Sequence, residues 1–222
     1  MELNKYIVIV AGGRGERMGG EIPKQLLEIA GKPILRHTME LFSELYNNLK
    51  IIVVMNADIV EIWKDYCRSS DFDCPHTLIN GGITRFHSVQ KGLSYVKEPS
   101  LVAIHDAVRP FLPRERIVEM FEKAESCKAL IPILPIPDSM RQKTKNNLTP
   151  VKREDYFIVQ TPQIFHSDIL KAAYKQPYLT SFTDDASVVE SYGVELTYCD
   201  GYRYNIKITT QDDLSFARFI AL

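Results

Sequence analysis

The segment that follows the first apolar run combines glycines with cations, a pattern that could bind a polyphosphate. Residues 11–25 read AGGRGERMGGEIPKQ and contain five glycines within nine positions. A glycine-rich backbone can turn sharply and direct successive N–H groups inward, which forms a nest for phosphate oxygens. Arg14, Arg17 and Lys24 would supply positive charge. We therefore predict a phosphate-binding loop here, with a solvated glycine-rich turn as the alternative.

Two better-known glycine loops do not match this segment. A P-loop requires GxxxxGK[ST], which is absent, and Met18 stands where a dinucleotide fingerprint needs its third glycine. The loop directly follows a predicted strand, and open α/β sheets bind ligands at the carboxyl ends of their strands. This position favours ligand binding over a solvated turn.

Two further loops carry residues that could complete a nucleotide site. Gly81 and Gly82 precede a predicted helix, and Ser88 lies in its first turn. Glycine permits close approach of a planar base, and a hydroxyl can hydrogen-bond to it; a plain strand-to-helix turn is the alternative. Asp106 follows an apolar strand and could hold a ribose hydroxyl or Mg²⁺, which takes one or two carboxylates together with phosphate and water. An internal Asp106–Arg109 ion pair is the alternative there.

Three downstream segments are the remaining candidates: QTPQIF at 160–165, TDDAS at 183–187 and NIKIT at 205–209. Thr183 or Asp184 would make a sound helix N-cap, a role that competes with ligand contact. Lys207 lies in an apolar strand pattern, where a lysine needs an anionic partner or a route to solvent. No GxSxG nucleophile elbow occurs in the sequence.

Strands and helices alternate along the chain. Four apolar runs are typical of strands in a parallel sheet covered on both faces: Lys5–Val10, Ile51–Met55, Leu101–Ile104 and Ala129–Leu134. Pro132 places the last run at an edge or a bulge. Helical patterns separate or follow these runs: Pro33–Leu45, Ile59–Tyr66, Arg85–Tyr95, Pro113–Cys127 and a C-terminal helix beginning at Thr210. The alternation predicts an α/β sandwich.

The stretch Asp138–Tyr156 interrupts this alternation. It is polar, and its residues alternate around Asn146 and Asn147, which predicts an exposed hairpin or arm. Its 19 residues exceed the usual length of a structureless loop, which favours a function over a mobile surface loop. We predict that residues 1–222 form a single domain with an arm at about residues 138–156.

The composition excludes several classes of protein. The chain has 222 residues, with 27 basic and 28 acidic side chains, so no global positive field would attract nucleic acid. Its apolar runs are far shorter than the roughly 18 residues of a membrane span, and we expect no signal peptide at its N-terminus. Four cysteines without a CxxC pair or zinc-ligand spacing indicate reduced thiols and a cytoplasmic protein.

Five motifs together carry a specific resemblance: AGGRGERMGGEIPKQ, HDAVRPF, QTPQIF, TDDAS and NIKITT. In their order and spacing the chain resembles the 2-C-methyl-D-erythritol 4-phosphate cytidylyltransferases from Val8 to about Ala217. The resemblance implies a Rossmann-like α/β nucleotidyltransferase fold with a mostly parallel central sheet. It also implies an enzyme that uses CTP and Mg²⁺, acts on methylerythritol phosphate, and forms a homodimer whose arm completes the partner's site.

The resemblance assigns site residues by position. The implied catalytic residues, with Asp106 also as a metal ligand, are Arg17, Lys24, Asp106 and Lys207. The implied CTP contacts are Ala11, Gly12, Gly13, Gly15, Gly81, Gly82, Ser88, Asp106 and Ala107. The implied acceptor contacts are Arg109, Ser139, Arg153, Thr161, Thr183 and Lys207. Ser139 and Arg153 would reach across the dimer. Three residues depart from those common in the family: Gly12, Ile83 and Ser139.

Three other functions share parts of this pattern. Ribitol 5-phosphate cytidylyltransferases look similar at the glycine loop, the DxxRP segment and NIK, although TDDASVVE after QTPQIF looks more like the methylerythritol enzymes. A nucleotide-sugar pyrophosphorylase for another base would share the glycine loop. A non-catalytic CTP-binding module is the alternative of another class, and the presence of all four implied catalytic residues argues against it.

Overall fold

The computed structural model describes residues 3–13 and 22–221. Its centre is a sheet of eight described strands. They are β1 (Asn4–Ala11), β4 (Leu49–Met55), β5 (His76–Asn80), β6 (Ser100–Asp106), β7 (Ala129–Pro135), β10 (Phe157–Val159), β11 (Gln163–His166) and β12 (Thr197–Asp200). Two short hairpins lie outside this sheet: β2 (Glu28–Ile29) with β3 (Lys32–Pro33), and β8 (Arg141–Lys143) with β9 (Leu148–Pro150).

The sheet is mostly parallel, as predicted. β5, β4, β1 and β6 lie side by side in parallel, with Ile7 of β1 opposite Ile51 of β4 and Ala103 of β6. β11 runs antiparallel between β6 and β7, and β12 pairs with β7 in parallel. The carboxyl ends of β1, β4, β5 and β6 therefore meet at one edge, where such sheets bind ligands.

Helices cover both faces of the sheet. The described helices are α1 (Ile34–Phe42), α2 (Ala57–Ser69), α3 (Arg85–Leu93), α4 (Arg114–Ala124), α5 (Ser167–Ala173), α6 (Asp185–Ser191) and α7 (Gln211–Ile220). Side chains alternate along a strand, so Ile7 of β1 packs with α1, α2 and α4, whereas Val8 packs with α3, α5 and α6. Double coverage explains why the central parallel strands β1, β4 and β6 are mostly apolar. Within the described ranges, no helix combines the length and apolarity needed to cross a membrane.

The four predicted strands and five predicted helices are present, with ends displaced by a few residues. The edge position suggested by Pro132 is wrong, because β7 pairs with β12 on one side and with β10 and β11 on the other. β10 and β11 pair with opposite ends of β7, and Pro132 lies between the two paired segments. The strand pattern around Lys207 is also wrong, since residues 205–209 form no regular secondary structure.

The segment predicted to be an exposed hairpin is one. β8 and β9 pair from Arg141 opposite Pro150 to Lys143 opposite Leu148. Thr144 N donates to the Asn147 carbonyl oxygen at 2.9 Å and closes the turn, and every residue from 141 to 150 is exposed. At the base of the arm, β7 and β10 pair with each other, which brings the two ends of the arm together.

Candidate functional site

A cavity of about 750 Å³ opens at the carboxyl edge of the parallel strands. Its walls include the ends of β1 and β6, the turn before α3, and the loop that holds Lys207. The predicted site residues that line it are Ala11, Gly12, Gly13, Lys24, Gly81, Gly82, Ser88, Asp106, Ala107 and Lys207. The fold thus brings together residues that lie between positions 11 and 207 of the chain.

The end of the glycine-rich segment is fixed to β1. Gln25 Nε2 donates to the Ala11 carbonyl oxygen at 2.8 Å, and the Gln25 side chain is buried. A Cβ on Gly13 would lie 3.9 Å from Cε of Lys24, so the lysine lies beside the glycines. The predicted roles of three residues stay predictions because they lie outside the described ranges: Arg14, Gly15 and Arg17.

Glycine is required in the turn between β5 and α3. A Cβ on Gly82 would clash with Cβ of His87 and lie 2.8 Å from its carbonyl carbon. Ser88 Oγ accepts from Gly82 N at 3.0 Å and donates to the Thr84 carbonyl oxygen at 2.9 Å. A hydroxyl has one donor and two acceptor positions, so Ser88 retains one acceptor. That acceptor suits an N–H donor, such as the amino group of a base.

Asp106 is the charged centre of the cavity. Its Oδ2 accepts from Lys207 Nζ at 3.0 Å and from Arg109 Nε at 3.2 Å. Its Oδ1 lies 3.8 Å from Nε of Arg85. Burial alone would raise the pKa of Asp106, but these three cations outweigh burial and hold that pKa well below its usual range. The carboxyl group is therefore ionised, and both of its oxygens face cations.

Lys207 has both features expected of a lysine in an apolar segment. Asp106 is its anionic partner, and its side chain is 40% exposed, which gives it a route to solvent. An ammonium group has three donor positions, and Asp106 accounts for one ion-pair contact. Lys207 can therefore contact a ligand in the cavity while Asp106 holds it.

A buried polar layer lies behind Asp106. Thr161 Oγ1 accepts from Asp106 N at 3.0 Å, and Arg109 Nη1 donates to the Asn205 carbonyl oxygen at 2.8 Å. Both Thr161 and Arg109 are buried, and neither is among the described residues that line the cavity. The structure therefore places these two implied acceptor contacts one layer below the cavity, and their roles at a ligand stay predictions. Burial lowers the pKa of His105 to about 4, so this ring is neutral at pH 7.

Three implied acceptor contacts lie away from this cavity. Ser139 and Arg153 are exposed near the two ends of the arm. Thr183 precedes α6, where Asp184 is the N-cap and forms a capping box with Ser187. The N-cap interpretation is thereby confirmed for Asp184. The ligand-binding roles of Ser139, Arg153 and Thr183 stay predictions.

Among the lining residues with no predicted role are a cation and a buried amide, Arg85 and Gln25. Arg85 is the first residue of α3 and directly follows the turn that contains the double glycine. Gln25 follows Lys24 at the end of the glycine-rich segment. The positions of both residues beside the predicted loops are visible in the sequence. Only the fold shows that the two residues line the same cavity.

The donors at the site fit a metal ion that is bound mainly by a polyphosphate. In the part of the chain that the structure describes, no group of three or more His, Cys, Asp or Glu side chains could hold a metal. Asp106 is the one acidic side chain among the described residues that line the cavity. Mg²⁺ commonly uses one or two carboxylates together with phosphate and water. One carboxylate is therefore sufficient if phosphate oxygens complete the coordination.

Comparison with known proteins distinguishes the families considered above. The family model described as IspD, 2-C-methyl-D-erythritol 4-phosphate cytidylyltransferase, matches residues 6–222. The chain belongs to this family. The predicted resemblance is thus confirmed over nearly the whole chain.

The 2-C-methyl-D-erythritol 4-phosphate cytidylyltransferase of Phocaeicola vulgatus is 46% identical over 218 residues, covering 98% of this chain and 100% of the relative. The enzyme of the same name from Francisella tularensis has a solved structure with 30% identity and a TM-score of 0.80, covering 99% of this chain and 100% of that one. The 4-diphosphocytidyl-2C-methyl-D-erythritol synthase of Anaerococcus prevotii gives 27% identity and a TM-score of 0.83, covering 98% and 96%. These similarities confirm the predicted fold.

Proposed function

We propose that this protein transfers a cytidylyl group from CTP to 2-C-methyl-D-erythritol 4-phosphate, within non-mevalonate isoprenoid precursor synthesis. The products are 4-diphosphocytidyl-2-C-methyl-D-erythritol and pyrophosphate. One observation carries the proposal: in a chain of this family, Gly12, Gly13, Lys24 and the Asp106–Lys207 pair line one cavity. A polyanionic substrate needs both close backbone approach and positive charge, and this cavity offers both.

The reaction needs no protein nucleophile. A phosphate oxygen of the acceptor attacks the α-phosphorus of CTP in line and forms a new P–O bond. The bond from the α-phosphorus to the bridging β-phosphate oxygen breaks, and pyrophosphate leaves with that electron pair. A phosphate monoester dianion is already a competent nucleophile, so no general base is required. Catalysis then depends on positioning and on stabilisation of charge.

Two described lysines are placed to stabilise that charge. Lys24 lies beside Gly13, where the backbone can approach phosphate closely. Lys207 lines the same cavity and is held there by Asp106. Cations that are already in position stabilise the negative charge that develops on phosphoryl oxygens. Arg17 is the third cation that the family resemblance implies, and it lies outside the described residues.

The turn at Gly81–Gly82 suits cytosine. The remaining acceptor of Ser88 can receive an N–H from the 4-amino group, whereas uracil carries a carbonyl oxygen at that position. A site that leaves a buried polar group unpaired discriminates against the wrong ligand. Ile83, which is 93% exposed at the cavity, replaces the polar residue common in the family and offers no polar contact of its side chain.

We propose Mg²⁺ as the metal and Asp106 as its protein ligand. The support is the donor set described above, in which one carboxylate lies beside the polyphosphate cavity. When bound, the ion would offset negative charge on the phosphate oxygens. Lys207, Arg109 and Arg85 hold Asp106 ionised before any ligand arrives.

We also propose that the protein is a homodimer joined through the arm. Apolar side chains in the arm and directly after it are exposed in one chain: Leu148, Tyr156, Phe157 and Ile158. Burial of these side chains against a second copy would remove apolar surface from water. Ser139 and Arg153 lie outside their own chain's cavity, which is consistent with contacts across a dimer. The four free cysteines support a reducing compartment, the cytoplasm.

Pyrophosphate release tests the proposed reaction. The protein is incubated with CTP and Mg²⁺ and with either methylerythritol phosphate or ribitol 5-phosphate; UTP, GTP and ATP then replace CTP. We expect turnover with CTP and methylerythritol phosphate. Faster turnover with ribitol 5-phosphate would reassign the acceptor, and preference for another nucleotide would reassign the base. Tight CTP binding without turnover would favour a non-catalytic module.

A further inference from the structure

A buried carboxylate outside the cavity is bonded to one of the cavity's cations. Asp185, at the start of α6, is completely buried and is not among the described residues that line the cavity. Its Oδ2 accepts from Arg85 Nη2 at 2.6 Å, and its Oδ1 accepts from the Tyr174 hydroxyl at 2.6 Å. A buried carboxylate is unfavourable unless it is paired and hydrogen-bonded, and here both oxygens have a partner.

Arg85 joins this buried carboxylate to the cavity. It lines the cavity with a side chain that is 27% exposed, and its Nε lies 3.8 Å from Oδ1 of Asp106. A guanidinium group is a planar fork, so fixing one of its nitrogens on Asp185 also fixes the direction of the others. The orientation of Arg85 toward Asp106 therefore depends on the position of Asp185.

Tyr174 is itself held rigidly. Its ring stacks on Phe86 with centroids 4.7 Å apart, and Phe86 also stacks on Phe182 at 5.7 Å. Gln90 Nε2 on α3 donates to the Tyr174 carbonyl oxygen at 2.8 Å. Because Phe86 and Gln90 belong to the same helix as Arg85, the backbone and ring of Tyr174 are positioned relative to Arg85. The Tyr174 hydroxyl can then hold Asp185 in one orientation.

We propose that Tyr174 and Asp185 are positioning residues that orient Arg85 for CTP binding. This inference rests on the proposed function, because CTP is the ligand that Arg85 would meet beside Asp106. Arg85 carries the effect into the cavity, whereas Tyr174 and Asp185 act through it. The chain Tyr174–Asp185–Arg85–Asp106 links α5 and α6, on one face of the sheet, to the end of β6.

The test is CTP affinity measured by calorimetry on the full-length protein. Tyr174→Phe keeps the ring stack and removes one hydrogen bond to a charged group, so we expect CTP to bind about fivefold more weakly. Tyr178→Phe is the matched control, because Tyr178 also packs on Phe86, at 5.6 Å, and its hydroxyl has no described carboxylate partner. We expect this control to bind CTP as the wild type does.

A double-mutant cycle separates positioning from a general structural effect. Arg85→Lys keeps the charge but loses the fork that contacts both carboxylates. If Tyr174 acts through Arg85, adding Tyr174→Phe to Arg85→Lys should change the CTP Kd by less than about twofold. An equal loss in both backgrounds, an unchanged Kd in Tyr174→Phe, or the same loss in Tyr178→Phe would each overturn the inference. Absence of CTP binding by the wild type would overturn the proposed function together with it.

Discussion

Lys24 gives a direct test of the charge that the site needs. Lys24→Ala should lower kcat by roughly 100-fold or more, because it removes a fixed cation near the reacting phosphate. Lys64→Ala is the control, since Lys64 forms an exposed pair with Glu61 on α2, outside the cavity. Steady-state kinetics and thermal unfolding of both variants check this. Near wild-type turnover in Lys24→Ala would show that the assignment is wrong.

Substitution of the two glycines should affect stability differently. Gly82→Ala would force its Cβ against His87, so we expect both a lower Tm and a higher KM for CTP. Gly13→Ala adds a Cβ at an ordinary 3.9 Å from Lys24, so we expect an unchanged Tm. Calorimetry measures the Tm of each variant, and steady-state kinetics at varied CTP concentration measures its KM for CTP. Equal Tm values for Gly82→Ala and wild type would contradict the clash.

Most of the cavity could be predicted residue by residue, but the layer beneath it could not. Asp106 and Lys207 were predicted by motif, and the structure brings them to 3.0 Å. Arg109 and Thr161 were also predicted at the ligand, yet they are buried behind Asp106. Whether a residue faces the cavity or lies behind Asp106 depends on how the antiparallel strand β11 and the 201–205 loop pack. Local sequence does not encode that packing.

At the scale of elements, Glu40 links β3 to α1 and makes stability depend on pH. Its carboxylate accepts from Lys32 Nζ at 3.0 Å and from Arg36 Nε at 2.8 Å. Burial raises the pKa of Glu40, but the bonds from Arg36 and Lys32 outweigh burial and lower it. A lowered carboxyl pKa contributes stability that is complete above the ordinary value of 4.5 and is lost as the pH falls through the lowered value.

Glu40→Gln should therefore lower the free energy of unfolding at pH 7 by up to about 1 kcal/mol, because the pair is partly exposed. The difference from wild type should shrink as the pH falls below 4.5. Urea unfolding at several pH values measures this. Glu119→Gln, which breaks an exposed pair with Arg116 on α4, is the control and should change little at any pH. A difference from wild type that stays constant with pH would contradict the role of Glu40.

The long elements were predictable, whereas most of the short ones outside the arm were not. The apolar strands β1, β4, β6 and β7 are long enough to show their pattern. The shorter elements β10, β11, β12, α5 and α6 have three to seven residues, too few for a periodic pattern to be recognised. The strand expected around Lys207 is a loop because Ile206 and Ile208 pack against a small core cluster without joining a sheet. The alternation of apolar residues around Lys207 therefore indicates burial and does not indicate pairing with another strand.

At the scale of the molecule, the proposed dimer predicts that two defective chains can restore one site. Arg153→Ala should raise the KM for the acceptor more than the KM for CTP, because Arg153 would bind the acceptor phosphate of the partner's site. In a mixed dimer with Lys24→Ala, one site would contain the intact Lys24 of one chain and the intact Arg153 of the other. Because one of its two sites is intact, the purified mixed dimer should have about half of wild-type activity at low acceptor concentration.

Co-expression of the two variants with different affinity tags, followed by tandem purification, yields the mixed dimer for this assay. The matched control is a mixed dimer in which one chain carries both substitutions and the other carries neither. Its wild-type chain would lack the partner's Arg153, and its doubly substituted chain would lack Lys24. Activity in the first mixed dimer but not in this control is expected. No difference between the two, with pairing verified by mass, would exclude a role for Arg153 across the dimer.

The closed base of the arm has a consequence for how such a protein can change over generations. Ile133, Leu134 and Pro135 of β7 pair with Val159, Ile158 and Phe157 of β10, so the chain returns to the sheet where it left it. Insertions or deletions between these strands would leave the register of the sheet unchanged, because the cost of closing a loop rises only slowly with its length. The reach of the arm toward a neighbour can therefore diverge independently of the catalytic scaffold.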